Sequence, residues 1–309
     1  MARKFYYGGQ AVIEGVMMRG RKNVSIAVRN PEGNITLHDE PLSTIYNGRL
    51  RDIPLIRGVI VLVETLILGM KALFYSASAS LGEEEEKINP VLLWGTVALG
   101  IVLAVGLFLV LPLFVIRYID PHVGSVESNI IEGLIRIALF IGYLRVITMM
   151  PDIRRVFAYH GAEHKTINAY EAGVSLEVES VQEYDTAHSR CGTSFLLIVL
   201  VISIIAFAFL GRPPMWLRLL SRLALMPVIA GVSYEIIRLG AGHIKNSMVR
   251  VLLAPGLLLQ SMTARQPDDQ QVEVAILALK GVLVADRELV EEAAPITCMA
   301  DGADGVNPE

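Results

Sequence analysis

Charge and cysteine are both scarce in this chain of 309 residues. Charged residues make up 19% of it, where a soluble domain carries about a quarter. With 53% hydrophobic residues and a mean hydropathy of +0.51, that shortfall argues against a soluble domain, and the long apolar runs point to a membrane protein. The two cysteines, Cys191 and Cys298, lie far apart in the chain, which excludes a disulfide framework and fits a reducing, cytoplasm-facing setting. No long basic stripe is present, and the net charge is −4 with a pI near 5.9, so no nucleic acid partner is expected. The start, Met1-Ala2-Arg3-Lys4, is basic, but polar and Gly-rich residues follow in place of an apolar core, so no secretory signal peptide is expected.

Residues 1–52 read as a β-rich amino-terminal cytoplasmic segment. Asn23 to Arg29 alternates polar and apolar residues, as does Asn34 to His38, and Asn30-Pro31-Glu32-Gly33 between them is a hairpin turn. Gly8 to Gly20 reads as a Gly-punctuated strand pair, whose glycines let the backbone pass close to another element. It is not a P-loop, because no Gly-Lys-Ser/Thr follows. Residues 53–90 hold an amphipathic helix and an acidic linker. Arg57, Glu64 and Lys71 are spaced by seven on Ile53 to Ala79 and form one polar stripe, which favours an interfacial helix.

Two transmembrane hairpins are expected, at 91–150 and 194–240. Val91 to Ile116 has no charge over about 25 residues, enough to cross roughly 30 Å of hydrocarbon. Asn129 to Met150, Ser194 to Leu210 and Leu217 to Leu239 supply the other three spans. Four spans leave only Arg117, Arg212 and Arg218 outside, with Arg154, Arg155, Lys165 and Arg190 inside. The positive-inside bias therefore places both termini in the cytoplasm. Residues 241–290 form a cytoplasmic segment with a helix capped by Asp268 and Gln271, and 291–309 read as a disordered tail. The fold class predicted is an α-helical polytopic membrane protein of about four transmembrane helices plus one interfacial helix, with a small β-rich amino-terminal segment.

Between the hairpins lies a cytoplasmic loop, 151–193, that concentrates the chemistry. Tyr159-His160-Gly161-Ala162-Glu163-His164-Lys165 reads H-x-x-E-H, the inverted order of a zinc-hydrolase helix motif. On a helix, His160 and His164 share one face and reach one metal ion, while Glu163 is placed to take a proton from water held there. Three of the six histidines and one of the two cysteines fall between His160 and Cys191.

Two arrangements are chemically sensible. In a catalytic site, His160, His164 and one of His188, Cys191 or Glu171 hold a divalent metal, most simply zinc, with water in the fourth position and Glu163 as general base. In a structural site, His160, His164, His188 and Cys191 close the shell. A third reading needs no metal: the imidazoles pair with Glu14, Asp185 or Glu235 in a polar network, which would suit a small transporter. Arg190 joins Glu14, Glu171, Asp185 and Glu235 as a supporting residue.

Several stretches resemble the YqhQ-like family of bacterial membrane proteins. They are Gly8 to Gly20, Tyr159 to Lys165, His188-Ser189-Arg190-Cys191-Gly192-Thr193-Ser194-Phe195, Tyr234 to Leu239 and Pro267-Asp268-Asp269. The family usually has proline where this chain has Ser189. The resemblance implies a multi-pass protein of the bacterial cytoplasmic membrane and a family labelled as a predicted metal-dependent enzyme, with the same histidines and glutamate in the metal role. It supplies no substrate. The function expected is metal-dependent hydrolysis at the inner face, acting on a membrane protein or a lipid-linked ester with the lipid bilayer as partner. A non-catalytic scaffold with a closed metal site is the alternative.

Overall fold

The computed structural model describes residues 6–43, 53–80, 90–188, 190–243 and 246–286. The acidic linker, Ser189, Cys298 and the tail from 291 lie outside these residues.

Four strands, β1 (Gly8–Val12), β2 (Gly15–Arg19), β3 (Asn23–Arg29) and β4 (Ile35–Pro41), form an antiparallel meander in chain order. Gly33 takes φ 89° in the β3–β4 turn, a conformation that favours glycine. Alternation along the strands divides the side chains between two faces. Val12, Met17, Val24, Ile26 and Val28 pack on one face with Ala72 of helix α1 (Ile56–Ala79). Val16, Met18 and Ala27 pack on the other with α5 (Pro151–Ala172) and α10 (Asp269–Ala285). Segments far apart in the chain thus share one core, with the sheet between helices.

The 151–193 region, read as the connection between two spans with its H-x-x-E-H stretch on a helix, is largely helical. Pro151 at the first position of α5 costs no backbone hydrogen bond, and Gly173 at φ 75° ends the helix in a left-handed cap. The expected cap on α10 is present in full: Asp268 Oδ1 accepts from Gln271 N at 2.8 Å, and Gln271 Oε1 accepts from Asp268 N at 3.0 Å.

Of the remaining helices, α3 (Leu111–Ile119), α4 (Ser125–Ile147), α7 (Gly192–Ala208), α8 (Met215–Gly242) and α9 (Ser247–Thr263) pack as an apolar bundle, α2 (Pro90–Val105) precedes α3 with an exposed apolar surface, and the short α6 (Val178–Gln182) lies beside α5. A π-helical turn at Gly106–Val110 joins α2 to α3. Within it the Phe108 carbonyl accepts from Arg136 Nε of α4 at 2.9 Å.

Among the described residues three helices are long and apolar enough to cross a membrane: Ile56–Ala79, Trp94–His122 and Met215–Gly240. Gly192–Ala208 is apolar but shorter. This set differs from the four segments read from sequence. Ile56–Ala79 belongs to it although its charges suggested an interfacial helix. Two of those charges are paired inward, Glu64 with Arg19 of β2 at 2.8 Å and Arg57 with Glu235 of α8. Helix α4, with Glu127, Glu132, Arg136 and Arg145, is not among the three.

Candidate metal centre

The H-x-x-E-H residues lie on α5, where it packs against β1 and α10. One turn of helix brings the His160 and His164 rings to 4.3 Å between centroids. Each ring is oriented from behind by a backbone carbonyl. His160 Nδ1 lies 2.7 Å from Thr263 O at the end of α9, and His164 Nδ1 lies 2.6 Å from Thr186 O. A ring that donates from Nδ1 keeps its Nε2 lone pair for a ligand, the usual arrangement behind a metal-binding imidazole.

Cys191 closes the group from the start of α7. Its Sγ accepts from Thr193 N at 3.4 Å and lies 3.3 Å from His160 Nε2. Ligand atoms of His160, His164 and Cys191 all lie within 4.8 Å of one another, so the three can hold a metal ion. Tetrahedral bonds of about 2.0–2.3 Å put neighbouring donors about 3.3–3.8 Å apart, which the His160–Cys191 separation matches. Two imidazoles and a thiol suit a borderline-soft divalent ion.

Glu163 sits beside the group, buried, with Oε2 at 3.9 Å from His160 Nε2 and 3.8 Å from His164 Nε2. Its other oxygen accepts from the backbone N–H of Gly9 at 3.0 Å. A Cβ on residue 9 would lie 2.8 Å from Glu163 Cγ, so the close approach requires glycine. Gly8, Gly9, the three donors, Glu163, His188 and Arg190 line a common cavity of about 90 Å³.

The other expected residues fall into separate places. His188 lies outside the three-donor group. Its ring is 5.5 Å from that of His164, and Nε2 points to Arg190 at 3.4 Å and Glu171 at 4.0 Å. Burial raises the Glu171 carboxyl, but the His188 hydrogen bond and the Arg190 charge outweigh it and hold it below its ordinary value. Glu14, between β1 and β2, pairs with Arg155 and accepts from Tyr159 Oη at 3.2 Å, two α5 residues in place of an imidazole. Burial, then Glu14, raises the Tyr159 phenol. Asp185 acts through its carbonyl, which accepts from Asn168 at 2.9 Å. Glu235 is paired with Arg57, and Glu132 with Arg136 and Arg222, so these carboxylates sit in two separate ion-pair groups.

Several contributors carry little or no sequence signal. The Thr186 and Thr263 carbonyls act through backbone alone, so residue type does not mark them. Gln260 bonds both backbone groups of His188, at 2.9 Å each, and donates to Ser194 Oγ at 2.7 Å. Lys165, next to His164, is buried and donates to the carbonyls of Gln182 at 2.7 Å and Tyr184 at 2.5 Å. Burial lowers its pKa against the opposing charge of Asp185. Gly161 did leave a signal, a glycine inside a helical motif: a Cβ there would meet Arg265 O at 1.8 Å.

Residues 53–285 match the family model described as "Protein of unknown function (DUF1385)". The chain is also 34% identical over 294 residues to the protein named "Uncharacterized protein YqhQ" of Bacillus subtilis (strain 168), covering 90% of this chain and 92% of that one. No solved structure matches it.

Proposed function

The chain belongs to the DUF1385 family and is similar to YqhQ, and from that premise we propose that it is a zinc-type metal-dependent hydrolase of the bacterial cytoplasmic membrane, with its site at the inner face. One observation carries the reading. Three ligand atoms converge within 4.8 Å, and a buried carboxylate stands 3.8–3.9 Å from both imidazole Nε2 atoms.

A divalent metal held there would supply a Lewis acid for polarising a carbonyl and acidifying water. The protein residues do the rest. His160, His164 and Cys191 are the ligands, and the Thr263 and Thr186 carbonyls hold the two rings in the binding tautomer. Glu163 takes the proton of the attacking water on Oε2 and returns it to the leaving group, while the Gly9 amide fixes Oε1.

His188 turns toward Glu171 and Arg190, which supports His160, His164 and Cys191 as the residues that would hold a metal and weighs against the scaffold reading, in which His188 joins them. The apolar helices that reach the site favour a substrate from the bilayer, a membrane-protein peptide bond or a lipid-linked ester. Both termini in the cytoplasm rest on the positive-inside count for four spans, with Ile53 to Ala79 lying at the interface and not crossing.

The test is metal content of detergent-purified protein by mass spectrometry. About one zinc per chain is expected, lost in His160→Ala, His164→Ala and Cys191→Ala and kept in Glu163→Gln, with hydrolysis of a reporter peptide or ester lost in Glu163→Gln. Protein that binds no metal after supplementation would end the proposal.

A further inference from the structure

Arg190 lines the same cavity as the three donors, yet the hydrolytic reading gives it no task. Its guanidinium is held on two sides. Nη2 donates to Glu171 and faces His188 Nε2, and the guanidinium lies 4.1 Å over the Tyr6 ring. Those partners occupy one nitrogen and one face. Among the described residues, Nε and Nη1 have no hydrogen-bond partner, and the side chain keeps 24% of its exposure. A guanidinium fixed at one corner, with its other donors open, is a ready fork for an oxyanion. Arg190 lines that cavity together with His160, His164 and Cys191, which places the fork beside the proposed reaction centre.

We propose that Arg190 binds an oxyanion carried by the substrate, a phosphate or a carboxylate, next to the bond acted on at His160, His164 and Cys191. The assignment rests on the hydrolase reading for its reaction but not for its binding step. Glu171 has two effects: it orients the guanidinium, and it competes with the incoming anion for the same positive charge. Replacing its charge while keeping a hydrogen-bonding amide should therefore tighten anion binding.

The experiment is thermal unfolding of the purified full chain, chelator-treated and zinc-loaded in parallel. Detergent samples are titrated with inorganic phosphate and, separately, acetate. Nanodisc samples carry phosphatidic acid or phosphatidylcholine alone. A saturable rise in the midpoint is expected with at least one oxyanion probe. Binding should be roughly ten- to hundredfold weaker in Arg190→Ala, as for loss of a charged hydrogen bond. Arg190→Lys should be intermediate, because it keeps the charge without the fork, and Glu171→Gln should bind more tightly.

Protection by inorganic phosphate assigns a soluble phosphate, protection only by phosphatidic acid assigns a lipid headgroup, and protection by acetate alone assigns a carboxylate. Equal protection in wild type, Arg190→Ala and Arg190→Lys, or none from any probe, would overturn the proposal. Anion binding by a protein that never takes up metal would sink the hydrolase reading and leave this one standing.

Discussion

The backbone N–H of Gly9 donates to Glu163 Oε1 across 3.0 Å, joining residues 154 positions apart in the chain. Gly9 lies on an edge strand and Glu163 on a buried helix, so this bond ties the sheet to the side chain proposed as general base. A Cβ at residue 9 would also meet Met17 O at 2.7 Å. Gly9→Ala is therefore expected to destabilise the fold by about 1–3 kcal/mol, as overpacking does. It should also displace Glu163 while leaving metal content at the wild-type level, because no ligand is touched. Unchanged thermal stability would contradict the close approach.

Gly161→Ala tests the support behind His160. The new methyl would press on the Arg265 carbonyl, two residues from the Thr263 carbonyl that orients the His160 ring. Metal affinity is expected to fall about ten- to hundredfold with all three ligands intact. Competition with a chelator of known affinity would measure it.

Acid should weaken the Glu171 corner. Its folded carboxyl lies below the ordinary 4.5, so below that pH the unfolded chain binds more protons than the folded one. The stabilising contribution is complete above 4.5 and is lost as pH falls through the lowered folded value. The stability gap between wild type and Glu171→Gln should accordingly be constant above 4.5 and close below it. A gap that widens in acid would have the wrong sign.

In the helical bundle, Glu132 is almost fully buried between Arg136 at 2.8 Å and Arg222 at 2.5 Å. Glu132→Gln leaves two buried guanidinium groups without their counter-charge, at an expected cost of about 3–5 kcal/mol. Thermal unfolding in detergent would show this as a marked drop in midpoint, with metal content the same as in wild type.

Asp268→Ala removes half of the α10 capping box and should cost about 1 kcal/mol. Asp268→Asn should recover most of it, since the amide oxygen can still accept from Gln271 N. Equal losses in the two variants would argue that the carboxylate charge matters more than the cap.

Local pattern alone marked the β3–β4 hairpin, the α10 cap, the apolar helices and the H-x-x-E-H face, because each depends on residues a few positions apart. The spacing of His160 and His164 determines that their rings share a side of any helix they form. The family was legible for the same reason, in short runs such as Tyr159 to Lys165.

Tertiary structure decided the rest. The polar stripe of Ile56–Ala79 looked interfacial in sequence, but Glu64 and Arg57 are neutralised by partners 45 and 178 positions away. Cys191 joins the histidines while His188 turns to Glu171 and Arg190, a division that spacing could not show. The carbonyls behind the two rings and the amide beneath Glu163 are backbone groups, carried by every residue type alike. Side-chain chemistry, which the sequence by itself determined, names the donors here; which of them meet depends on long-range packing, and only the folded chain decides that.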